Sequence, residues 1–420
     1  MQKKGSRSVK FTVAVSCATA LLFTPVSAFA SSQSADKVEV NIHPPVLQSG
    51  THKPVSSEKQ DTDLAENAQS AVIMDFATKK VLFEKDANKE LPMASITKIM
   101  TMLLAMEAIE KGQLKLTDTI TASEHAASMG GSQIFLEPGE KMSLNDMMKG
   151  IAMASANDAC VAIAEHMAGT ESEFVKKMNQ RAKELGMNHT HFVNCNGLPA
   201  EHHYSSAKDV AVMSRALLQH QQITKWTSVY SDYLRENSSH PLWLVNTNKL
   251  VRFYDGMDGL KTGYTSEAKY CLSATAKRKG FRVIAVAMGE PKITIRNREI
   301  TQMLDWTFGQ YTSKILYQPQ QVIRQVRVPH GVPERVSIQT SDTVGVIHKK
   351  GEKPNYKTQV ELNKLKAPIK AGQKVGTLKI VNDDDVVASA TLVSAQSVRK
   401  ANLFESIGQT TKHLFTFGKH

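Results

Sequence analysis

Ser95 and Lys98 stand three residues apart in the stretch Ala94-Ser95-Ile96-Thr97-Lys98. On a helix this spacing puts both side chains on one face, about a turn from each other. A serine hydroxyl is a weak nucleophile until a base takes its proton. A lysine whose pKa is depressed by burial and neighbouring cations can be that base. In the first turn of a helix the hydroxyl also meets free backbone N–H groups and the positive end of the helix dipole, which favour developing negative charge. The chemistry this pair suits is acyl transfer through serine. By itself the pattern is weak, because Ser-x-x-Lys arises by chance in most large proteins.

Two further patterns fit the same chemistry. In Ser155-Ala156-Asn157 a hydroxyl and a carboxamide two residues apart can point into one cleft. The hydroxyl would relay a proton and the amide would hold a substrate backbone group. Taken alone, the same residues simply cap the helix expected over 159–168. Lys261-Thr262-Gly263 follows the turn signals Asp255-Gly256 and Asp258-Gly259 and leads into a strand. A strand edge with a cation and a hydroxyl suits a peptide ending in a carboxylate, and Gly263 leaves room for close backbone approach. Alone, this triplet reads as a surface turn. All three patterns in this order, each in suitable local structure, point to serine acyl transfer.

The elements that must position these residues are legible in outline. Residues 71–76 and 81–84 read as two strands joined by a turn at 77–80. Pro92 precedes a helix from Ala94 to about Lys111, which Gly112 stops. Residues 144–168, rich in Ala and Met, read as a buried helical region, and 242–248, 270–276 and 283–288 as strands of a sheet. Helices and strands alternate irregularly, so the main body is expected to be α/β or α+β with a central antiparallel sheet flanked by helices. After about Gln318, short valine-rich segments punctuated by Gly, Pro and Asp predict a small all-β domain ending near Ser394, with Asp383-Asp384-Asp385 as a hairpin turn. Leu403, Phe404, Ile407, Thr411, Leu414 and Phe415 share one helical face, ringed by Arg399, Lys400, Lys412 and Lys419. That segment is too broken to span a bilayer, and it reads as an in-plane amphipathic membrane anchor.

Composition bounds the rest. At 420 residues, 41% hydrophobic and 22% charged, the chain reads as a globular body of two or three domains and not as a multi-span membrane protein. A cationic start (Lys3, Lys4, Arg7, Lys10), an apolar run from Phe11 to Phe23 and Ala28-Phe29-Ala30 predict an export signal cleaved after Ala30. Its loss lowers the net charge from +12 to +8, a mild excess without a dense basic block. Nucleic acid is therefore a poor partner, and an anionic wall polymer or acidic lipid fits better. Residues 31–66, polar and without period, read as a flexible spacer. Cys160, Cys195 and Cys271 would remain, an odd number without metal-ligand spacing, and they read as isolated buried thiols. His191, His202 and His203 lack a helical metal-binding pair such as His-Glu-x-x-His, so no metal or other cofactor is expected.

The words around the three patterns resemble low-molecular-weight penicillin-binding proteins, the serine-type D-alanyl-D-alanine carboxypeptidases. They are Leu91–Thr101, Gly131-Ser-Gln-Ile-Phe135, Ala154-Ser-Ala-Asn-Asp158, His203-Tyr-Ser-Ser-Ala207, Asp258–Thr265 and Ala285-Val-Ala-Met-Gly289. The resemblance implies a signal peptide at 1–30, a catalytic domain at 67–316, an all-β domain at 317–395 and an anchor helix at 396–420, while the spacer at 31–66 is longer than the family usually carries. It implies that Ser95 is acylated, that Lys98 takes its proton, and that Ser155 and Lys261 pass a proton to the leaving D-alanine. Asn157 would hold a substrate amide, Thr262 and Gly263 would line the carboxylate end, and the N–H groups of Ser95 and Tyr264 would form the oxyanion hole. Arg296, with Arg298 as its rival, would grip the terminal carboxylate. The implied partners are a stem pentapeptide ending in D-Ala-D-Ala, β-lactams as covalent inhibitors, and the outer face of the cytoplasmic membrane. Met93 and Lys269 depart from commoner family words without touching these roles.

Other readings stand beside this one. A class A β-lactamase shares the three patterns, but it needs a Glu-x-x-Leu-Asn word that Glu201-His-His-Tyr-Ser205 does not supply. A non-catalytic wall-binding protein would not need Ser95 and Lys98. Endopeptidase and transpeptidase action use the same acyl-enzyme and stay open.

Overall fold

The computed structural model describes residues 64–383 and 385–416, with side chains through 409. The expected export signal and most of the spacer lie outside the described residues.

Strand-forming runs at both ends of the catalytic region meet in one five-stranded sheet. Its order is Val81–Lys85, Ser70–Asp75, Phe281–Glu290, Lys269–Arg278 and Met257–Thr265. Every neighbouring pair is antiparallel. Phe281–Glu290 is apolar almost throughout because both faces of the sheet are covered. Alternate residues go to opposite sides. Ala285 and Ala287 pack with Leu272, Ile300 and Met303 under the helix Ile293–Gln310. Ile284 and Val286 share a core with Ile96, just ahead of the helix Lys98–Glu110, with Ile99 of that helix, and with Met213 of the helix Ala207–Gln219.

Several local expectations change. Leu64 and Ala65, assigned to the spacer by composition, are buried in the sheet's second core, and the Lys85 ammonium donates to the Ala65 and Glu66 carbonyls. The helical region 144–168 is broken. Leu144–Lys149 passes through a π-helical turn, Gly150–Ala154, to Ser155, which takes a left-handed conformation (φ 65°) before the helix Asn157–Ala168 starts. Leu242–Val245 pairs with Ser231–Leu234 in a separate two-stranded ribbon and not with the central sheet. Lys261-Thr262-Gly263 lies inside the edge strand Met257–Thr265, and Asp258-Gly259 belongs to that strand instead of a turn.

Beyond the Ile293–Gln310 helix, Tyr311–Tyr317 pairs with Val344–Lys349, so the all-β part begins a few residues earlier than composition suggested. Its main sheet runs Val322–Arg327, Arg335–Thr340, Asp385–Ser394, Lys374–Asn382 and Tyr356–Leu362 around a small core of Val336, Ile338, Leu378, Ile380 and Leu392. Arg215 ties the two parts by donating to both oxygens of Asp342, at 2.9 and 3.2 Å. Leu403–Thr416 is a helix, and no helix among the described residues is long and apolar enough to cross a membrane.

Candidate active site

Ser95 sits in a tight 3₁₀ turn, Ala94–Thr97, that runs directly into the helix Lys98–Glu110. Ala94 opens this turn at φ +48°, a left-handed conformation that costs an alanine about 1–2 kcal/mol. Packing on three sides imposes it. The Thr97 hydroxyl donates to the Ala94 carbonyl at 2.8 Å. A Cβ at Gly197 would stand 2.0 Å from that same carbonyl oxygen, and Gly197 has φ +89°. A Cβ at Gly263 would stand 2.8 Å from the Met93 carbonyl and 3.2 Å from the Ile96 nitrogen, so the edge strand backs directly onto the serine turn. Gly197→Ala is therefore expected to push the two backbones apart. It should cost about 2–4 kcal/mol in urea unfolding and at least about tenfold in the rate of covalent labelling at Ser95. Unchanged values on both measurements would show that the approach is not tight.

The Lys98 side chain is fully buried, and its ammonium nitrogen meets three oxygens: Ser95 Oγ at 2.8 Å, Asn157 Oδ1 at 2.6 Å and the Asn196 carbonyl at 2.5 Å. Two of these are pure acceptors and hold two N–H bonds. In the neutral amine the remaining lone pair then faces the serine hydroxyl. Burial pushes the Lys98 pKa below its ordinary value, against the opposing pull of the Asp158 carboxylate. Lys261 is also buried, and burial pushes it well below its ordinary value, reinforced by the charges of Lys98 and Arg296. Its Nζ donates to the Thr262 carbonyl at 2.9 Å.

Asn157 is tied to the lysine as well as to the facing loop. Its Oδ1 accepts from Lys98, and its Nδ2 donates to the Gly130 carbonyl at 2.7 Å, which leaves one N–H for a substrate. The next residue, Asp158, secures the facing loop by accepting from the Ile134 and Leu136 N–H groups at 3.1–3.2 Å. Ser155 sits on the turn leading to Asn157, and its Oγ takes no partner among the described residues. The Thr262 hydroxyl donates to the Thr247 hydroxyl at 2.8 Å. Tyr264 is 55% exposed, with its ring 4.4 Å from that of Tyr270. Of the two candidate arginines, Arg296 is 2% exposed and reaches the Cys271 carbonyl at 3.4 Å, whereas the Arg298 side chain is 58% exposed beside Glu299.

Sequence reasoning missed Asn196, Gly197 and Thr247. The Asn196-Gly197 dipeptide is a turn signal that marks the glycine, but nothing local tells that its backbone lies against Ala94. The three cysteines are buried and unbridged. Burial pushes the Cys160 thiol up to about 12 and Cys271 to about 11, so they stay protonated. Among the described residues, no group of three metal-ligating side chains gathers. A groove of about 930 Å³ lies away from Ser95, between the Lys98–Glu110 and Ala207–Gln219 helices and Asp342. Its main charges are already paired, Arg181 with Glu107 and Arg215 with Asp342.

A helix-flanked antiparallel sheet, an all-β region behind it, and a serine bonded to a buried lysine make up the architecture of penicillin-recognising serine enzymes. Comparison with known proteins narrows this class. Residues 55–292 match the family model for D-alanyl-D-alanine carboxypeptidase (peptidase S11), and 311–400 match the C-terminal domain of penicillin-binding protein 5. The chain is 48% identical to D-alanyl-D-alanine carboxypeptidase DacF of Bacillus subtilis over 86% of its own length and 94% of that protein. Among solved structures it is similar to penicillin-binding protein 5 of Haemophilus influenzae, with TM-score 0.62 and 29% identity over 80% of this chain and 98% of that one. It is also similar to penicillin-binding protein D2 of Listeria monocytogenes in its ampicillin-bound form, with TM-score 0.52 and 29% identity over 58% and 98%. The chain belongs to the D-alanyl-D-alanine carboxypeptidase family.

Proposed function

We propose that this enzyme removes the terminal D-alanine from peptidoglycan stem pentapeptides through an acyl-enzyme on Ser95. Neutral Lys98 takes the Ser95 proton as Oγ attacks the carbonyl of the penultimate D-alanine. The N–H groups of Ser95 and Tyr264 stabilise the oxyanion. The C–N bond breaks, and Ser155 and Lys261 deliver a proton to the departing amine. Thr262 and Arg296 hold the terminal carboxylate, with Gly263 leaving it room. Water then attacks the ester, frees the tetrapeptide and returns the proton to the serine. The observation that carries this reading is the single ammonium nitrogen of Lys98 bonded to Ser95, Asn157 and Asn196. Incubation with a pentapeptide ending in D-Ala-D-Ala should release one D-alanine per peptide. Transfer to an added amine in place of water would assign it to transpeptidation, and rapid turnover of penicillin, without a lasting acyl-enzyme, would assign it to the β-lactamases.

The expected place of action is outside the cytoplasmic membrane. Export by residues 1–30 and surface anchoring by the terminal helix belong to this proposal. On that helix Leu403, Phe404 and Ile407 are 73%, 84% and 55% exposed, which supports an apolar face available to lipid. Removing residues 397–420 should release the protein from membranes into the soluble fraction in a flotation assay. Unchanged membrane association would reject the anchor.

A further inference from the structure

His203 lies outside the three sequence patterns, yet it is buried, at 7% exposure, directly behind the serine turn. Its Nδ1 accepts the Val193 N–H at 3.0 Å. In the neutral ring that acceptor puts the proton on Nε2. Nε2 lies 2.7 Å from Thr97 Oγ1 and so donates to it, and the Thr97 hydroxyl donates onward to the Ala94 carbonyl. The donors therefore run one way, from the Val193 backbone through the imidazole and the hydroxyl to the carbonyl of the residue before Ser95. Phe192 packs edge-on against the ring at 6.1 Å and fixes its plane. Each group in this line has one use, and the line ends on the left-handed Ala94.

We propose that His203 is a positioning residue: through Thr97 it holds the Ala94–Ser95 turn in the conformation that aims the serine hydroxyl at the substrate carbonyl and at Lys98. A doubly protonated ring would turn its second N–H against the Val193 N–H and break the line. Burial foremost, and then the charges of His191 and Lys98, lower the His203 pKa to about 4, so the ring stays neutral where the enzyme works. The inference rests on Ser95 being the acylated residue.

The test is acylation by a fluorescent penicillin, resolved into a binding constant and a first-order acylation rate, for the full-length wild type and for His203→Leu, His203→Gln, Thr97→Val and the His203→Leu/Thr97→Val pair. Leucine removes both ring nitrogens, whereas glutamine keeps one acceptor and one donor. His203→Leu and Thr97→Val should each lower the acylation rate about tenfold or more with the binding constant nearly unchanged, because a small misplacement of a reacting group is felt in rate. His203→Gln should recover most of the loss. The double variant should fall little below the worse single one, as members of one line are not additive. The idea is overturned if His203→Leu acylates within about twofold of wild type while only its melting temperature falls, or if the two single losses multiply. Should His203→Leu not fold, Thr97→Val with nearly the same volume carries the test alone. Absence of Ser95 labelling in the wild type would instead overturn the reading of the nucleophile, a separate outcome.

Discussion

Ser95→Ala should abolish D-alanine release, lowering kcat/KM on a D-Ala-D-Ala pentapeptide by at least about 10⁴-fold. The change removes one oxygen from a half-buried side chain and leaves the 3₁₀ turn, its Thr97 brace and the Gly197 and Gly263 contacts intact. The fold should therefore survive, with urea unfolding close to wild type. The groups proposed to grip the substrate, Thr262 and Arg296, are also untouched, so peptide binding should persist while turnover is lost. Any residual rate would come from polarisation and positioning alone, without a covalent step. Covalent labelling by penicillin should disappear in the same variant. Release of D-alanine at more than a few per cent of the wild-type rate would show that another group is the nucleophile.

Lys98→Met is expected to have the next largest effect, about 10³-fold or more on acylation, from loss of the general base and of the serine's orientation together. Methionine nearly matches the buried stem but offers no lone pair for the serine proton. Lys98→Arg should fail as well, because a guanidinium stays protonated and cannot accept a proton. The wild-type pH profile provides a second check. Lys98 must be neutral to act, and burial lowers its pKa, so the base form is gained as pH rises through a value below the ordinary lysine range. The acid limb of kcat/KM should therefore lie below that range and rise with pH. It should be missing from the residual activity of Lys98→Met. Because Lys261 is a second buried amine near the first, the limb belongs to the coupled pair. A Lys98→Met enzyme acylating within about tenfold of wild type would remove the lysine from the mechanism.

Much of this protein could be read before its coordinates. Ser95 and Lys98 are joined by helical spacing, a local matter, and the structure puts them 2.8 Å apart. The strands at 70–85 and 269–290 are marked by short apolar runs, and the change to an all-β region by valine spacing and turn residues. The break at Ser155 was hidden because Gly150–Ala154 is apolar and helix-forming by composition, while a π turn and one left-handed residue depend on what packs around them. The membership of Lys261 in a strand was obscured by Asp258-Gly259, a turn dipeptide that the neighbouring Thr275 strand overrides by pairing.

Residue order alone, then, determined which groups are available for chemistry: a serine one helical turn from a lysine, and a cation beside a hydroxyl and a glycine. Tertiary structure decided how those groups meet. Asn196 lies 98 residues from Lys98 and supplies a carbonyl that no side-chain pattern encodes. Gly197 and His203 matter only because a distant loop is pressed against Ala94. Arg296 is separated from Arg298 by which side of one helix faces the sheet. The physical reason is range. Helical and strand periodicity act over a few residues, whereas proton position and turn strain at Ser95 are set by short contacts between segments that only the folded core brings together.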